Sequence, residues 1–422
     1  MNHALTEENP NDIVYTSEMA ASSAIPGCGL LFCLVLAAIS ACRGQATRED
    51  RLPQLQAVIR VPGASAMAMA PNGLVYVVNL GGEPGKSYIA VLDGPKQVDT
   101  IPWPDESSWG AGAEIAYNPH NHLLYILDRI IYQLYVIRDT EVVTTMKVGY
   151  APWTMVIHPT SGHVYIPNIR TAPLDPGQDP GPGEVVVVED TQILRRIPLE
   201  DPLTVTVSDF DNQVYIGQAN PFGKGAQHIL VAIDDSTFIT QTIYEADYGG
   251  GINEIDIDRS NGHLYVTRDD FGLLVYWDGT DFQRIDVGSL GYSINTIAMD
   301  SQKHRLYAAS WDGPPSHVIV IEGATVVAEI PVGNDVRGLA IDHTHDYVYA
   351  TNYRSDTLSI IRGTEVITTV ETGGLGPFEI TVDEKRGYIY VSNSNSASVA
   401  VFGFEEGNAA LDWRQFLPFI EK

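Results

Sequence analysis

Gly73-Leu-Val-Tyr-Val-Val-Asn79 is a short alternating segment that returns seven more times along the chain. The copies read His122-Leu-Leu-Tyr-Ile-Leu-Asp128, Gly162-His-Val-Tyr-Ile-Pro-Asn168, Asn212-Gln-Val-Tyr-Ile-Gly-Gln218 and Gly262-His-Leu-Tyr-Val-Thr-Arg268. They continue as Lys303-His-Arg-Leu-Tyr-Ala-Ala-Ser310, Asp346-Tyr-Val-Tyr-Ala-Thr-Asn352 and Gly387-Tyr-Ile-Tyr-Val-Ser-Asn393. The central tyrosines, Tyr76, Tyr125, Tyr165, Tyr215, Tyr265, Tyr307, Tyr349 and Tyr390, are spaced by 49, 40, 50, 50, 42, 42 and 41 residues. A period of roughly 40–50 residues filled with short strands is the mark of a β-propeller, an all-β ring of four-stranded blades.

Each unit supplies four strands. In the second these are Ala113–Tyr117, Leu123–Asp128, Gln133–Ile137 and Val142–Val148; in the seventh, Val336–Ile341, Tyr347–Asn352, Thr357–Ile361 and Glu365–Val370. The third strands are almost wholly apolar, as in Glu184-Val-Val-Val-Val188, which suits a strand covered on both faces. Gly, Asn and Asp recur in the turns between first and second strands, as in Asp258-Arg-Ser-Asn-Gly262, where tight hairpins need them. The eight units hold only seven fourth strands. Gln56-Ala-Val-Ile-Arg-Val61, ahead of the first unit, resembles a fourth strand. Pairing it with Val399–Phe404 would complete the last blade and remove both free edges. Eight blades are therefore expected, or seven if one unit is irregular. The expected organisation is a signal segment at 1–42, a linker at 43–53, a propeller at 54–404 and a tail at 405–422. Within the tail, Leu411, Trp413, Phe416 and Leu417 fit a short helix.

Acidic residues number 53 against 25 Lys and Arg, a formal charge of −28. Nucleic-acid binding, which needs clustered Lys and Arg, is not expected. The three cysteines, Cys28, Cys33 and Cys42, all precede the repeats, so the ring has no disulfide framework and no cysteine metal site. Residues Gly29 to Ala41 form an apolar run too short to span a bilayer and suited to a signal-peptide core. Ile39-Ser40-Ala41-Cys42 resembles the bacterial lipobox. That resemblance implies export and a membrane anchor through acyl chains on Cys42, at the periplasmic or cell surface. Residues 1–41 contain no Lys or Arg, a departure from the basic start of a signal peptide; an uncleaved apolar anchor or a plain secretory peptide is the alternative.

Tyr349-Ala-Thr-Asn352, Tyr390-Val-Ser-Asn393 and Tyr76-Val-Val-Asn79, with the turns Val148-Gly-Tyr-Ala-Pro152 and Val332-Gly-Asn334, resemble the signature of the YVTN-repeat β-propeller family. Tyr125-Ile-Leu-Asp128 and Tyr215-Ile-Gly-Gln218 depart from it. The resemblance implies an exported or surface-associated propeller and carries no invariant catalytic residue.

Loops from fourth to first and from second to third strands share one face around the channel. The longest, Trp103–Gly112, Asn168–Gly183, Gln218–Gln227 and Ala246–Gly251, all lie there, and loops on rigid β scaffolds carry binding. The channel-lining first strands align as Gly112-Ala-Glu-Ile-Ala-Tyr117, Pro152-Trp-Thr-Met-Val-Ile157, Pro202-Leu-Thr-Val-Thr-Val207, Ile252-Asn-Glu-Ile-Asp-Ile257, Ile294-Asn-Thr-Ile-Ala-Met299 and Pro377-Phe-Glu-Ile-Thr-Val382. Their third positions are polar: Thr154, Thr204, Thr296 and the glutamates Glu114, Glu254 and Glu379. A carboxylate rim of this kind suits a cation, with Ca²⁺ the ion for oxygen ligands, or an amine-bearing ligand. Alternatively, each glutamate bonds backbone amides of the next blade. Trp153, Trp311, Arg337 and Arg354 stand near this mouth with Trp103, Trp109, Tyr248, Tyr353, Arg170 and Arg268, the mix a ligand pocket needs.

Of eleven histidines, His120, His122, His163, His263, His304, His343 and His345 fall in or beside first-to-second turns, on the opposite face. No nucleophile motif is present. The leading expectation is a monomeric, membrane-tethered extracytoplasmic module that binds a protein partner or small ligand without catalysis. The alternatives are a metal-assisted hydrolase or lyase at the acidic mouth, and a structural cell-surface module.

Overall fold

The computed structural model describes residues 51–79, 86–104, 112–170, 181–218, 228–246, 252–268, 273–287 and 293–404. The expected signal segment, the expected tail helix and most of the four long loops, with Trp109 and Tyr248, lie outside the described residues. The described strands fall into eight antiparallel sheets, seven of them built in chain order from the channel outward. Blade 2 runs Glu114–Asn118, Leu123–Asp128, Gln133–Arg138, Glu141–Lys147; blade 7 runs Val336–Asp342, Tyr347–Asn352, Thr357–Arg362, Glu365–Glu371. Both match the strands read from sequence to within a residue or two. The seven-blade alternative falls away.

Blade 8 takes its outermost strand from the start of the chain. Gln54–Arg60 pairs antiparallel with Ser398–Gly403, and Gln54 faces Gly403 while Arg60 faces Ser398. Without that strand, Val399, Val401 and Phe402 would lie on an open edge, whereas they are now buried. The third strands are buried on both faces: all four central residues of Gln133–Arg138 and of His317–Glu322 are shielded.

The repeated tyrosine fills the gap between blades. Tyr125, Tyr165, Tyr215, Tyr265, Tyr307, Tyr349 and Tyr390 are fully buried, each ring contributing about 1.5–3 kcal/mol by leaving water. A buried phenol also needs a partner for its hydroxyl. Tyr165 donates to Asp235 at 2.7 Å, Tyr215 to Asp211 at 2.6 Å and Tyr125 to the Asp190 carbonyl at 2.8 Å. Tyr76 is the exception; it is only partly buried and stacks on Tyr117 at 5.9 Å.

The turns at the far end of the inner strands use one device. The strand's last side chain accepts backbone N–H groups of its own turn: Asp300 from Gln302 and Lys303, Asp342 from His345, Asp383 from Arg386. In blade 3 the place is taken by His158, whose Nδ1 lies 3.4 Å from the amides of Thr160 and Ser161. Burial lowers the pKa of His158, as an accepting imidazole requires. The turn histidines are not merely solvated. The Nδ1 atoms of His163, His304, His343 and His345 lie 2.8 Å from carboxylates of Asp235, Asp258, Glu384 and Asp342 respectively. Several of these contacts cross from one blade to the next.

Candidate functional site

Six of the eight innermost strands share a distortion at the loop-face end. Ladder register shifts between Ala64 and Met67, Pro202 and Thr204, Ile252 and Ile255, Ile294 and Thr296, Val336 and Gly338, and Pro377 and Ile380. In blade 3 the strand breaks at the same place, into Tyr150–Pro152 and Val156–Ile157. A bulge leaves a backbone amide without its ladder partner and re-aims the adjacent side chains. A hydroxyl on the second strand takes that amide: Thr267 Oγ1 from Glu254 at 3.0 Å, Thr351 Oγ1 from Gly338 at 2.8 Å, Ser392 Oγ from Glu379 at 2.9 Å. The third letter of the repeated tetrad is thus a patch for the bulge. Thr351 also donates to the Phe378 carbonyl of blade 8 at 2.9 Å, joining two blades.

The asparagine that follows, in turn, needs the glycine of the loop arriving from the preceding blade. A Cβ on Gly149 would come within 2.4 Å of the Asn168 amide oxygen, and one on Gly333 within 2.5 Å of Asn352. Only glycine lets the chain cross so close above the side chain.

The bulge re-aims Glu254 and Glu379, and both reach the neighbouring blade. Glu254 Oε2 accepts the Ile297 N–H of blade 6 at 2.9 Å, and Glu379 Oε2 accepts the Met67 N–H of blade 1 at 2.9 Å. The second reading drawn from sequence, that each glutamate bonds a neighbour's amide, therefore holds for these two. Asp256 repeats the contact two residues along, accepting the Met299 N–H at 2.8 Å. Burial pushes the carboxyls of Glu254 and Glu379 up to about 8; the Asp256 charge adds to the rise at Glu254 and the Glu114 charge to that at Glu379. Burial also raises Asp256.

Glu114 differs: its own strand pairs with Leu123–Asp128 without a register shift, and the blade 3 strand opposite it is broken. Its Oε1 lies 3.7 Å from Arg129 Nη1. Burial raises its pKa, and the guanidinium opposes the rise. Arg129 also donates to the Gly112 carbonyl and, at 3.0 Å, to the Trp153 carbonyl. Its guanidinium sits 5.3 Å from the centre of the exposed Trp153 ring, a cation–π placement. In the ring, Glu379 of blade 8 and Glu114 of blade 2 flank Ala66 of blade 1.

A second grouping lies on blades 7 and 8. Asp335 is held by Arg337 Nε at 2.7 Å and Arg354 Nε at 3.1 Å. Arg337 lies over the Tyr353 ring at 5.4 Å, and Tyr353 meets the partly exposed Phe378 edge-on at 6.3 Å. Trp311 stands exposed on blade 6. Trp103 is buried against Tyr135 and serves packing, and Arg170 pairs with Asp201 at 3.8 Å.

The structure thus brings Glu114 and Trp153 together through Arg129, and joins Arg337 to Arg354 through Asp335. It leaves Glu254 on another side of the channel with Asp256. Among the described residues no group of three His, Cys, Asp or Glu is arranged to hold an ion, and Glu254 and Glu379 each spend an oxygen on a backbone amide.

Three residues were missed in the sequence: Asp256, Arg129 and Asp335. Asp256 carried a usable signal, since it follows Glu254 by two on one strand and shares its face.

No family model matches the chain, and no curated protein matches it. Solved structures do. Saccharomyces cerevisiae Sqt1 is 11% identical, with 84% of this chain and 99% of that one covered, at a TM-score of 0.61. The β-propeller domain of Myceliophteria thermophila Cps50 (Swd1) is 11% identical over 83% and 99%, at 0.53. Virginiamycin B lyase from Staphylococcus aureus is 10% identical over 84% and 100%, at 0.52. At such identities the likeness is one of fold alone.

Proposed function

We propose that the chain is a binding module that takes a protein partner on its loop face, and that it is exported and anchored through Cys42. One observation carries the reading. The loop face gathers Ile130, Trp153, Trp311, Leu375 and Phe378, which keep between 37% and 62% of their surface exposed, beside the guanidinium groups of Arg129, Arg337 and Arg354. Exposed tryptophan and arginine are what the energetic centres of protein interfaces are made of. The repeated tetrad supports membership in a YVTN-like group of exported propellers, and the lipobox-like Ile39–Cys42 supports the anchor.

A photo-crosslinking residue placed at 153, 311 or 378 is expected to trap one and the same partner in the native host, while residues 210 and 239 on the turn face trap none. Trapping at 210 and 239 alone would overturn the assignment of the face. A second reading, hydrolysis or lyase chemistry at the mouth, draws on Glu379, whose carboxyl burial pushes up to about 8, a range that suits a proton donor at neutral pH. Loss of turnover in Glu379→Gln, with crosslinking at 153 unchanged, would favour it.

A further inference from the structure

Blades 7 and 8 build the same pair of loops from different residues. In blade 8 the Ser394 N–H donates to the Gly376 carbonyl at 2.9 Å, the Asn395 N–H to the Leu375 carbonyl at 3.0 Å, and the Leu375 N–H to Ser396 Oγ at 2.8 Å. In blade 7 the corresponding bonds run from Tyr353 to Asp335 at 2.9 Å, from Arg354 to Asn334 at 3.1 Å and from Asn334 to Ser355 Oγ at 2.8 Å. Gly376 and Asp335 share a left-handed backbone, with φ of 66° and 60°. Glycine adopts that conformation freely, whereas a residue with a Cβ does so at a cost. By register, Phe378 and Asn395 of blade 8 stand where blade 7 has Arg337 and Arg354. The loops therefore fold without the three charged side chains that blade 7 places there.

What those three do is orient two guanidinium groups. Asp335 is buried; its Oδ1 meets Arg337 Nε at 2.7 Å, and its Oδ2 accepts Arg337 Nη2 and Arg354 Nε, both at 3.1 Å. The Tyr353 ring braces Arg337, and its hydroxyl donates to Asn395 of blade 8 at 3.1 Å. The Asp335 N–H donates to Ser316 Oγ at 2.9 Å, which ties the loop to blade 6. Nη1 of Arg337 and both Nη groups of Arg354 are left without a protein partner among the described residues. The Arg354 side chain is 70% exposed. Two guanidinium charges against one carboxylate leave one positive charge over. The nearby carboxylates Asp312 and Asp356 turn instead to the amides of Ser293 and Gly376. A guanidinium fork fixed in this way is pre-organised for a carboxylate.

We propose that Arg337 and Arg354 clamp the carboxylate of one Asp or Glu side chain of the protein partner, whose apolar neighbours rest on the exposed Leu375 and Phe378. This rests on the reading of the loop face as a protein-binding surface. With a formal charge of −28 the chain repels a strongly acidic partner at a distance. The clamp thus takes a single acidic residue from a surface otherwise neutral or basic, and sets register and specificity more than encounter rate.

Random peptides displayed on phage, panned on the immobilised full chain as wild type and as Arg354→Gln, test this. The substituted side chain is largely in solvent, so the thermal melt should not move. Wild type should enrich peptides in which an Asp or Glu adjoins an aromatic or aliphatic residue, and the variant should not. An enriched peptide is then resynthesised with its acidic residue as the amide. The change in the peptide, or at 354, should each weaken binding about tenfold or more, and both together little more than either alone. Losses that multiply, or enriched peptides without an acidic residue, would overturn the clamp and leave the loop face a binding surface. A wild-type melt raised by free succinate, with no peptide enriched, would overturn the protein occupant in favour of a small carboxylate. Neither enrichment nor a succinate shift would overturn the clamp outright, while crosslinking at 153 reports on the loop face independently.

Discussion

Replacing Glu254 by glutamine should stabilise the ring, and only above a certain pH. The carboxyl accepts the Ile297 amide at 2.9 Å, a bond that the amide oxygen of glutamine can keep. Burial, opposed by that N–H and reinforced by Asp256, lifts its pKa from the ordinary 4.5 to about 8. Below pH 4.5 both folded and unfolded chains hold the proton, so wild type and variant carry the same charge there. Between 4.5 and 8 the unfolded chain releases its proton while the folded ring retains it. Folding must then take up a proton, and wild-type stability falls by about 1.4 kcal/mol per pH unit. The ceiling is about 5 kcal/mol; the side chain is only partly buried, and solvent screening brings the expectation down to about 2–3 kcal/mol. Glutamine has no proton to lose. The difference between the two proteins should therefore open from pH 4.5 upward and level off above 8. Urea midpoints measured from pH 4.5 to 9 on both proteins test this, since contributions of distant groups cancel in the difference. Parallel profiles would show that Glu254 is ionised in the folded ring and that the burial argument is wrong.

Thr351→Val keeps the shape of the side chain but leaves the Gly338 amide and the Phe378 carbonyl without their partner, so it should cost about 1–3 kcal/mol; Thr351→Ser should restore most of it, as read from the same urea midpoints. A chain begun after Arg60 would leave Ser398–Gly403 as an open, apolar edge. It should lose its cooperative melt and associate, as followed by light scattering, and a synthetic Gln54–Arg60 peptide should reverse both effects. A monomer with an unchanged melting temperature would show that the closing strand is dispensable.

The fold was legible because its signals are local. Strand alternation, the turn residues and the tyrosine recur within each unit, and a count of strands was enough to reveal that the fourth strand of the last blade had to come from Gln56–Val61. That inference needs no coordinates, since an unpaired edge is costly wherever it falls. The glutamates were legible too, as third positions of aligned strands. Their role was not, and two alternatives had to stand.

What Glu254 and Glu379 do depends on which amide of the next blade stands across from them, 43 residues on in one case and on the far side of ring closure in the other. No spacing rule within a unit carries that information. Glu114 occupies the same position and behaves differently because blade 3 breaks its strand and Arg129, from a loop, fills the vacancy. Sequence alone determined the ring and the strand that closes it, because both rest on repeated short-range patterns. Tertiary structure alone decided which side chains meet at the mouth, because that follows from how separate blades are set against one another.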